Sequence, residues 1–504
     1  MQEQQLNFDY ETDVVVIGAG NAAMCAAISA REQGAGVIVL EKSPEKEKGG
    51  NTTYTHGSIR FAYNGADEIR ELVPDLDDAE MAMTDFGSYT EEQFYDDMCR
   101  MTDYKTDPVL ASILTDESFE TMKWMTRHNV KWIPIYGRQA FKVDGVFKFW
   151  GGMVLESVGG GHGLVEALHE EASSQGVQIL YKTMAVSLLR NDDGVYGVVI
   201  RENGKTKRIA ASSVIIASGG FHANTEMRSK YLGTQWDAVH VRGSRYNTGD
   251  GIRMALDIGA LPEGNWTLSH AVMGDRYLPD FEEGFQRLSY PFGILVNANG
   301  ERFLDEGADF RNYTYAKYGR ELLKQPDGYG YQVFDAQTSA QLREEYKGRK
   351  VTKVKADTLE ELADKMDVDR ERFLAEVKRF NESVDRTVPF NPNVKDGRRT
   401  IGLDVPKTNW ATPIEEGPFE AYAVTCGITF TFGGLKINEE AEVQDTMYES
   451  IPGLYAAGEA AGGLFYSNYP GGAGLMAGSV FGKIAGANAA EHANQRAGAK
   501  AAIT

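Results

Sequence analysis

Asp13-Val14-Val15-Val16-Ile17-Gly18-Ala19-Gly20-Asn21-Ala22-Ala23 is the stretch that decides the fold. A run of β-branched residues passes straight into two glycines and then into an alanine-rich segment through Ala30, which reads as strand, tight turn and helix. Gly18 permits the turn and Gly20 lets the backbone approach a pyrophosphate. The small Ala23 lets the helix pack on the strand, while the N-terminal amides at Asn21 and Ala22 face the anion. A second strand, Val37-Ile38-Val39-Leu40, ends in Glu41, about 20 residues beyond Gly20, where an acid is placed to accept from ribose hydroxyls. The spacing predicts a dinucleotide-binding unit. Just past it, Lys48-Gly49-Gly50-Asn51-Thr52-Thr53 forms a second glycine loop of the kind that passes close to phosphates or a cofactor ring.

Outward from this unit, the rest of the chain is globular in character. It has 504 residues, 42% hydrophobic and 25% charged, values that exclude a disordered, collagen-like or multi-span membrane protein. At ~150 residues per domain it holds about three units, or two large domains with insertions. Lys+Arg number 52 against 73 Asp+Glu, a net charge of −21, which argues against nucleic acid or an acidic bilayer as partner. Cys25, Cys99 and Cys426 lie far apart, without the spacing of a metal, haem or cluster site, so no metal is expected. No apolar run approaches the ~20 residues of a membrane span and the N-terminus is polar, so a soluble, cytoplasmic protein is expected.

Glycine-ended strands recur. Val177–Tyr181, Gly194–Ile200, an Asn203-Gly204 hairpin turn and Ser213–Gly220 are followed, much later, by Gly453–Gly463, Gly471-Gly472-Ala473-Gly474-Leu475 and a helix from Met476 to Ala490. A pocket built from both chain ends implies an inserted domain between them. The expected organisation is α/β with an α+β cap: a discontinuous Rossmann-like domain over 1–271 and 411–504, and a capping or substrate domain over 272–410. Inside the cap, Thr358 with Glu361 forms a capping box, and Phe373, Leu374, Val377 and Phe380 share one helical face. The aromatic stretch Phe147–Gly152 reads as core or pocket wall, and the tail after Ala489 as frayed.

With Gly18–Ala23, Glu41, Gly49–Thr52, Ala217–Phe221, Thr248-Gly249-Asp250-Gly251, Asn299–Glu306 and Leu454–Gly463 in this order, the chain resembles the flavoprotein superfamily of fumarate reductases, succinate dehydrogenases and 3-ketosteroid dehydrogenases. Asn21-Ala22-Ala23, Asp305–Arg320 and Asn468–Gly472 are most similar to the tricarballylate dehydrogenases within it. The resemblance implies FAD, with Gly18, Gly20, Asn21, Ala22 and Ala23 at the pyrophosphate and Glu41 and Lys42 at the adenosine ribose. It places Gly49, Gly50, Asn51 and Thr52 beside phosphate and flavin, Ala185 near the adenine, and Gly219 at the second crossing. Asp250 falls near the ribityl chain, and Glu459, Gly474 and Leu475 at ribitol and pyrimidine edge. Asn51 stands where membrane succinate dehydrogenases carry a flavin-linked histidine, which implies noncovalent FAD, with His56 as the nearby exception.

The reaction implied moves hydrogen across a carbon–carbon bond beside a carbonyl or carboxylate, with hydride exchanged at the flavin and a proton at a protein base. The fumarate reductases' proton-shuttle arginine is matched by Phe310. A shift of one residue makes Arg311 the acid/base, with Tyr313 and Tyr315 as rivals. Their carboxylate-clamping arginine is replaced by Asn468-Tyr469-Pro470, where Tyr469 with the Ala473 amide resembles the ketone-polarising pair of ketosteroid dehydrogenases. His270 matches one substrate-binding histidine, and Thr429-Phe430 stands in place of the other. Arg60, Tyr54 and His56 follow the second glycine loop, with Arg60 the carboxylate-binding candidate. The implied substrate is a small carboxylate or ketone. Electrons are expected to pass to a separate acceptor: a membrane iron–sulfur/haem protein, a quinone, a diffusible carrier or oxygen. The alternative of another class is a flavin-binding subunit without turnover.

Overall fold

The computed structural model describes residues 7–149, 152–348 and 350–503. Tyr10–Ile17 forms the opening strand and Asn21–Glu32 the helix after it. Val14, Val15 and Val16 are fully buried, as a run this apolar requires when both faces of a parallel sheet are covered. The parallel core runs Ser450–Ala456, Lys205–Ile216, Tyr10–Ile17, Val37–Leu40, Gln178–Leu180. Thr183–Asn191, Gly194–Glu202 and Glu442–Gln444 complete an eight-stranded sheet in antiparallel fashion. The Asn203-Gly204 turn joins Glu202 to Lys205 with φ of 50° and 77°, the left-handed pair that a two-residue hairpin favours.

The two chain ends meet on one face of this sheet. The terminal helix, Ala473–Ile503, runs past Ala489 without the fraying read from its composition, and lies on Asn21–Glu32. A Cβ at Gly482 would stand 2.4 Å from the Ala22 carbonyl oxygen and one at Gly486 2.2 Å from that of Ala26, so glycine one turn apart sets how near the helices come. The Asn21 amide donates to the Leu475 carbonyl at 2.9 Å and to Ser479 Oγ at 3.0 Å, joining the ends by hydrogen bonds as well.

A second, six-stranded sheet is centred on Phe419–Thr431, with Ser269–Asp275, Tyr329–Phe334, Val354–Ala356 and His240–Val241 against it and Ile294–Asn297 beyond. Its strands come from both sides of Val272 and of Trp410. Helices Leu359–Met366 and Arg370–Ser383 cover it, burying Phe373, Val377 and Phe380 against Ile294, Val296 and Val333, with Leu374 at the margin. Thr358 Oγ accepts from the Glu361 amide at 3.2 Å, but the Glu361 carboxylate accepts from Asp357, one residue before the partner a capping box requires. Five helices between Ala66 and Arg127 went unread in the sequence. Thr90 with Gln93, a complete capping box, and Asp107 before Pro108 were their available signals.

Under this sheet Lys407 is buried and donates to the Gly293 carbonyl. Burial pulls its ammonium down to about 8 from 10.5, against the attraction of Glu306. Below pH 8 both folded and unfolded chains carry this proton and the burial penalty stands in full. Between pH 8 and 10.5 the folded chain has lost it and the unfolded chain has not, so stability from this residue rises with pH, by up to about 3 kcal/mol. Lys407→Met is therefore expected to be stabilising relative to wild type near pH 7.5, by a margin that shrinks towards pH 10. Urea melts of both proteins across that range test this, and a pH-independent margin refutes it.

Candidate functional site

A single continuous cavity runs from the carboxyl ends of the parallel strands to the second sheet. Gly18 opens it with φ of +108°, and a Cβ there would lie 2.4 Å from the Ala217 carbonyl oxygen. Gly20 provides no side-chain cap for the helix it starts, so that helix end is left for an anion. Thr52 Oγ1 accepts from the Asn21 amide at 3.0 Å, tying the two glycine loops together. Glu41 is buried and accepts from the Ser43 amide at 2.7 Å; burial raises its pKa and these hydrogen bonds oppose the rise. Lys42 and Asp250 are paired at 2.7 Å. Burial disfavours the Asp250 charge, but hydrogen bonds from Lys42 and Thr248 outweigh it and hold the carboxyl below its usual value. Ala185, Gly219, Gly474 and Leu475 line the same cavity, as does Glu459, which accepts from the Thr431 amide at 2.8 Å.

Two expected cofactor residues do not face it. Ala23 is buried in the core beneath its helix, and Gly49, at φ +92°, is packed against Thr53 and Val165, while Gly50 beside it lines the cavity. Asn51 lines the cavity with both ends of its carboxamide engaged, donating to the Thr429 carbonyl at 2.7 Å and accepting from the Ser244 amide at 2.9 Å. Ser218 Oγ, Thr429 Oγ1 and both ring nitrogens of His270 are buried cavity-lining groups without a protein partner. These orphaned groups and the uncapped helix fit a long ligand with phosphates at one end and a polar ring at the other.

The inner end gathers most of the candidate chemistry. His270 stacks on Phe430 at 5.0 Å and meets the edges of Tyr315 and Tyr469 at 5.1 and 4.9 Å. Burial, with the charges of Arg242 and Arg320, pulls its pKa well below the usual value, so the imidazole is neutral. The Tyr315 and Tyr469 hydroxyls hydrogen-bond to each other. Burial pushes both phenols up, Tyr469 well above its usual range, so both are protonated at neutral pH. Arg311, first residue of the helix Arg311–Leu323, donates to the Arg138 carbonyl at 2.5 Å and pairs with Glu345 at 3.5 Å. Burial and the neighbouring Arg311 charge pull the Arg138 guanidinium down to about 10. His56 contacts Gln286 and is kept neutral by burial and by Arg138, Arg242 and Arg311.

Three residues read as functional lie elsewhere. Arg60 does not line the cavity: it is fully buried and donates to the Gly471 carbonyl at 2.7 Å, so its charge is spent inside the protein. Tyr313 points away, its hydroxyl donating to Asp97 at 2.6 Å. The Ala473 amide donates to the Pro470 carbonyl at 3.1 Å within its own turn, leaving Gly472 and Gly474 at the cavity. Phe310 packs on Trp410 at 5.7 Å, which leaves the inner end to Arg311. Phe149 stacks on Phe86 at 5.5 Å, a core contact, while Trp150 and Gly151 lie outside the described residues. The sequence reading missed Arg242 and Arg138, which line the inner end; Arg242, directly before Gly243, carried the signal of a charge at a strand end beside a glycine.

The family model described as FAD binding domain matches residues 13–475. The chain is 28% identical over 492 residues to the NADH:fumarate oxidoreductase of Klebsiella pneumoniae, with 95% of this chain and 48% of that protein covered, so it spans about half that relative's length. The open conformation of a flavocytochrome c3 fumarate reductase shares the fold at a TM-score of 0.73 and 26% identity, over 97% of this chain and 79% of that one. A 3-ketosteroid-Δ4-(5α)-dehydrogenase from Rhodococcus jostii matches in fold at a TM-score of 0.72 and 23% identity, over 97% and 98%. No helix among the described residues is long and apolar enough to cross a membrane. The chain belongs to the FAD binding domain family, within the superfamily of fumarate reductases and 3-ketosteroid dehydrogenases, and is an FAD-dependent oxidoreductase.

Proposed function

We propose that this enzyme moves hydrogen across a carbon–carbon bond next to a carboxylate, on a small anionic substrate held at the inner end of the cavity. The observation that carries this reading is charge: Arg138, Arg242 and Arg311 line that end, Glu345 pairs with Arg311 and Glu156 with Arg138, and Arg242 is left as the cation that no carboxylate pairs with among the described residues. FAD, held without a covalent bond by Gly18, Gly20, Glu41, Ala185 and Glu459, supplies the two-electron chemistry. Arg311 and Arg138 bind the substrate carboxylate, since guanidinium forks match its geometry. Neutral His270 donates a hydrogen bond to a substrate oxygen as negative charge builds on it. Arg311 holds or takes the proton at the carbon next to the carboxylate. The segment over 272–410 caps the site and excludes water. Electrons are exchanged with a separate acceptor. Tricarballylate is the substrate this reading favours, because a carboxylate of it would answer Arg242 while others meet Arg138 and Arg311.

The Tyr315–Tyr469 pair favours a second reading, a cyclic-ketone or 3-ketosteroid desaturase in which Tyr469 polarises the carbonyl. With the Ala473 amide turned to Pro470, only one of the two donors of such a site is in place. Anaerobic stopped-flow absorbance separates the readings when the holoprotein is mixed with tricarballylate, a 3-ketosteroid or cyclohexanone. Bleaching of the flavin band by tricarballylate alone is the expected result. Bleaching by a ketone alone would transfer the chemistry to Tyr469, and no bleaching by any of the three would reject both substrate classes.

A further inference from the structure

One buried carboxylate connects the elements that carry the reacting side chains. Asp97, on the helix Glu91–Met101, accepts from the hydroxyls of Tyr89 and Tyr313, each at 2.6 Å, and from Arg100 at 2.9 Å. Arg60 stands 3.8 Å from it, with its guanidinium 5.1 and 5.3 Å from the Tyr89 and Tyr313 ring centres. Arg60 in turn holds the Asn468–Gly472 loop, through Nε to the Gly471 carbonyl at 2.7 Å and its own amide to the Gly472 carbonyl at 3.2 Å. The same loop is fastened to the helix Arg311–Leu323 by Asn468 Nδ2 to the Tyr313 carbonyl at 2.7 Å and by the Gly471 amide to the Asn312 carbonyl at 2.9 Å. Arg100 extends the chain of charges to Asp309 at 2.7 Å, two residues before Arg311.

The loop carries Tyr469, and the helix carries Arg311 and Tyr315. Neither Asp97 nor Arg60 lines the cavity, so their charges serve each other and not a ligand. A guanidinium buried this completely stays in place only while a carboxylate answers it. We infer that Asp97 is a positioning residue for the reaction: through Tyr313 it sets where Arg311, at the start of the same helix, stands, and through Arg60 it holds the loop that carries Tyr469 against that helix. This rests on the proposed reading of Arg311.

Kinetics of the holoenzyme variants test it, with the substrate that bleaches the flavin. Asp97→Asn is expected to keep its flavin band and lose about 10²-fold in kcat with little change in KM, the signature of misplaced groups at constant binding. Asp97→Glu is expected to recover most of the loss. Asp335→Asn removes another buried carboxylate, one that accepts from the Thr338 amide at 3.1 Å in the cap, and is expected to lower Tm at wild-type kcat. Tyr89→Phe removes one hydrogen bond to Asp97 and reads the same effect at smaller size if Asp97→Asn does not accumulate folded. Equal kcat in Asp97→Asn and Asp335→Asn, or a change confined to KM, would overturn the inference. Arg311→Gln separates the two levels. Wild-type turnover in that variant refutes the reading of the site, whereas its inactivity beside an active Asp97→Asn refutes the positioning role alone.

Discussion

Replacement of Arg311 by glutamine is expected to lower kcat by about 10³-fold, within the usual range for a lost acid–base group, while the flavin band persists. Arg311 is the guanidinium that both faces the cavity and begins the helix bearing Tyr315. Its partners, the Arg138 carbonyl and Glu345, hold it in place, and Arg138 is itself paired with Glu156, so the positive charge left at the inner end is that of Arg242. Glutamine keeps a hydrogen-bond donor and removes both the charge and the exchangeable proton. It also relieves one of the two causes that depress Arg138, whose pKa is then expected to rise. Steady-state turnover beside the 450 nm absorbance of the same sample decides the matter. A variant within about tenfold of wild type would move proton transfer to the Tyr315–Tyr469 pair, since an acid–base group is worth at least ~10²-fold.

The second large effect is on stability. Arg302 and Glu306 form an ion pair at 2.5 Å in which both side chains are wholly buried. Glu306 also accepts from the Leu295 amide at 2.7 Å, and Arg302 donates to the carbonyls of Val405 and Pro406 at 2.9 and 3.1 Å. The pair thus fastens the edge strand Ile294–Asn297 to the returning segment that carries Lys407. Glu306→Ala leaves a buried guanidinium unanswered and is expected to cost about 3–5 kcal/mol in urea unfolding. Arg302→Met combined with Glu306→Leu removes both charges, and is expected to recover most of that loss because desolvation no longer has to be met. A single-variant cost below about 1 kcal/mol would mean that the pair is balanced by its own desolvation and that the carbonyl contacts do the holding.

These two residues also show what was legible in the sequence. Arg302 and Glu306 stood out as part of a resemblance, yet nothing in their spacing told that they bond to each other across one turn and not to a ligand. The dinucleotide end was readable because its function is local: Gly18, Gly20 and Glu41 act within one strand–turn–helix–strand unit whose periodicities are visible in the chain. The inner end was reached only through the resemblance, which named His270, Arg311 and Tyr469 but not Arg138 or Arg242, because its residues arrive from five separate segments. Arg138, Arg242, His270, Arg311 and Tyr469 are neighbours only once the second sheet has closed, and no spacing along the chain carries that information. Arg60 was misassigned for the same reason: a lone arginine after a glycine loop reads as a ligand clamp, and its true partner, Asp97, lies in helices that the reading passed over. Tyr313 and Tyr315 differ by two residues and so face different sides of one helix, one towards Asp97 and one into the cavity.

The joining of the first helix to the last has a consequence for biosynthesis. The bed for the pyrophosphate leaves the ribosome long before its partners do: Asn21 bonds to Leu475, 454 residues later, and to Ser479, and the carboxylate of Glu459 comes hardly earlier. While those 454 residues are made, the nucleotide-binding end waits, half built, for its partners. A ribosome stalled anywhere before Leu475 holds a chain that has a flavin-binding signature and no closed place to put the flavin.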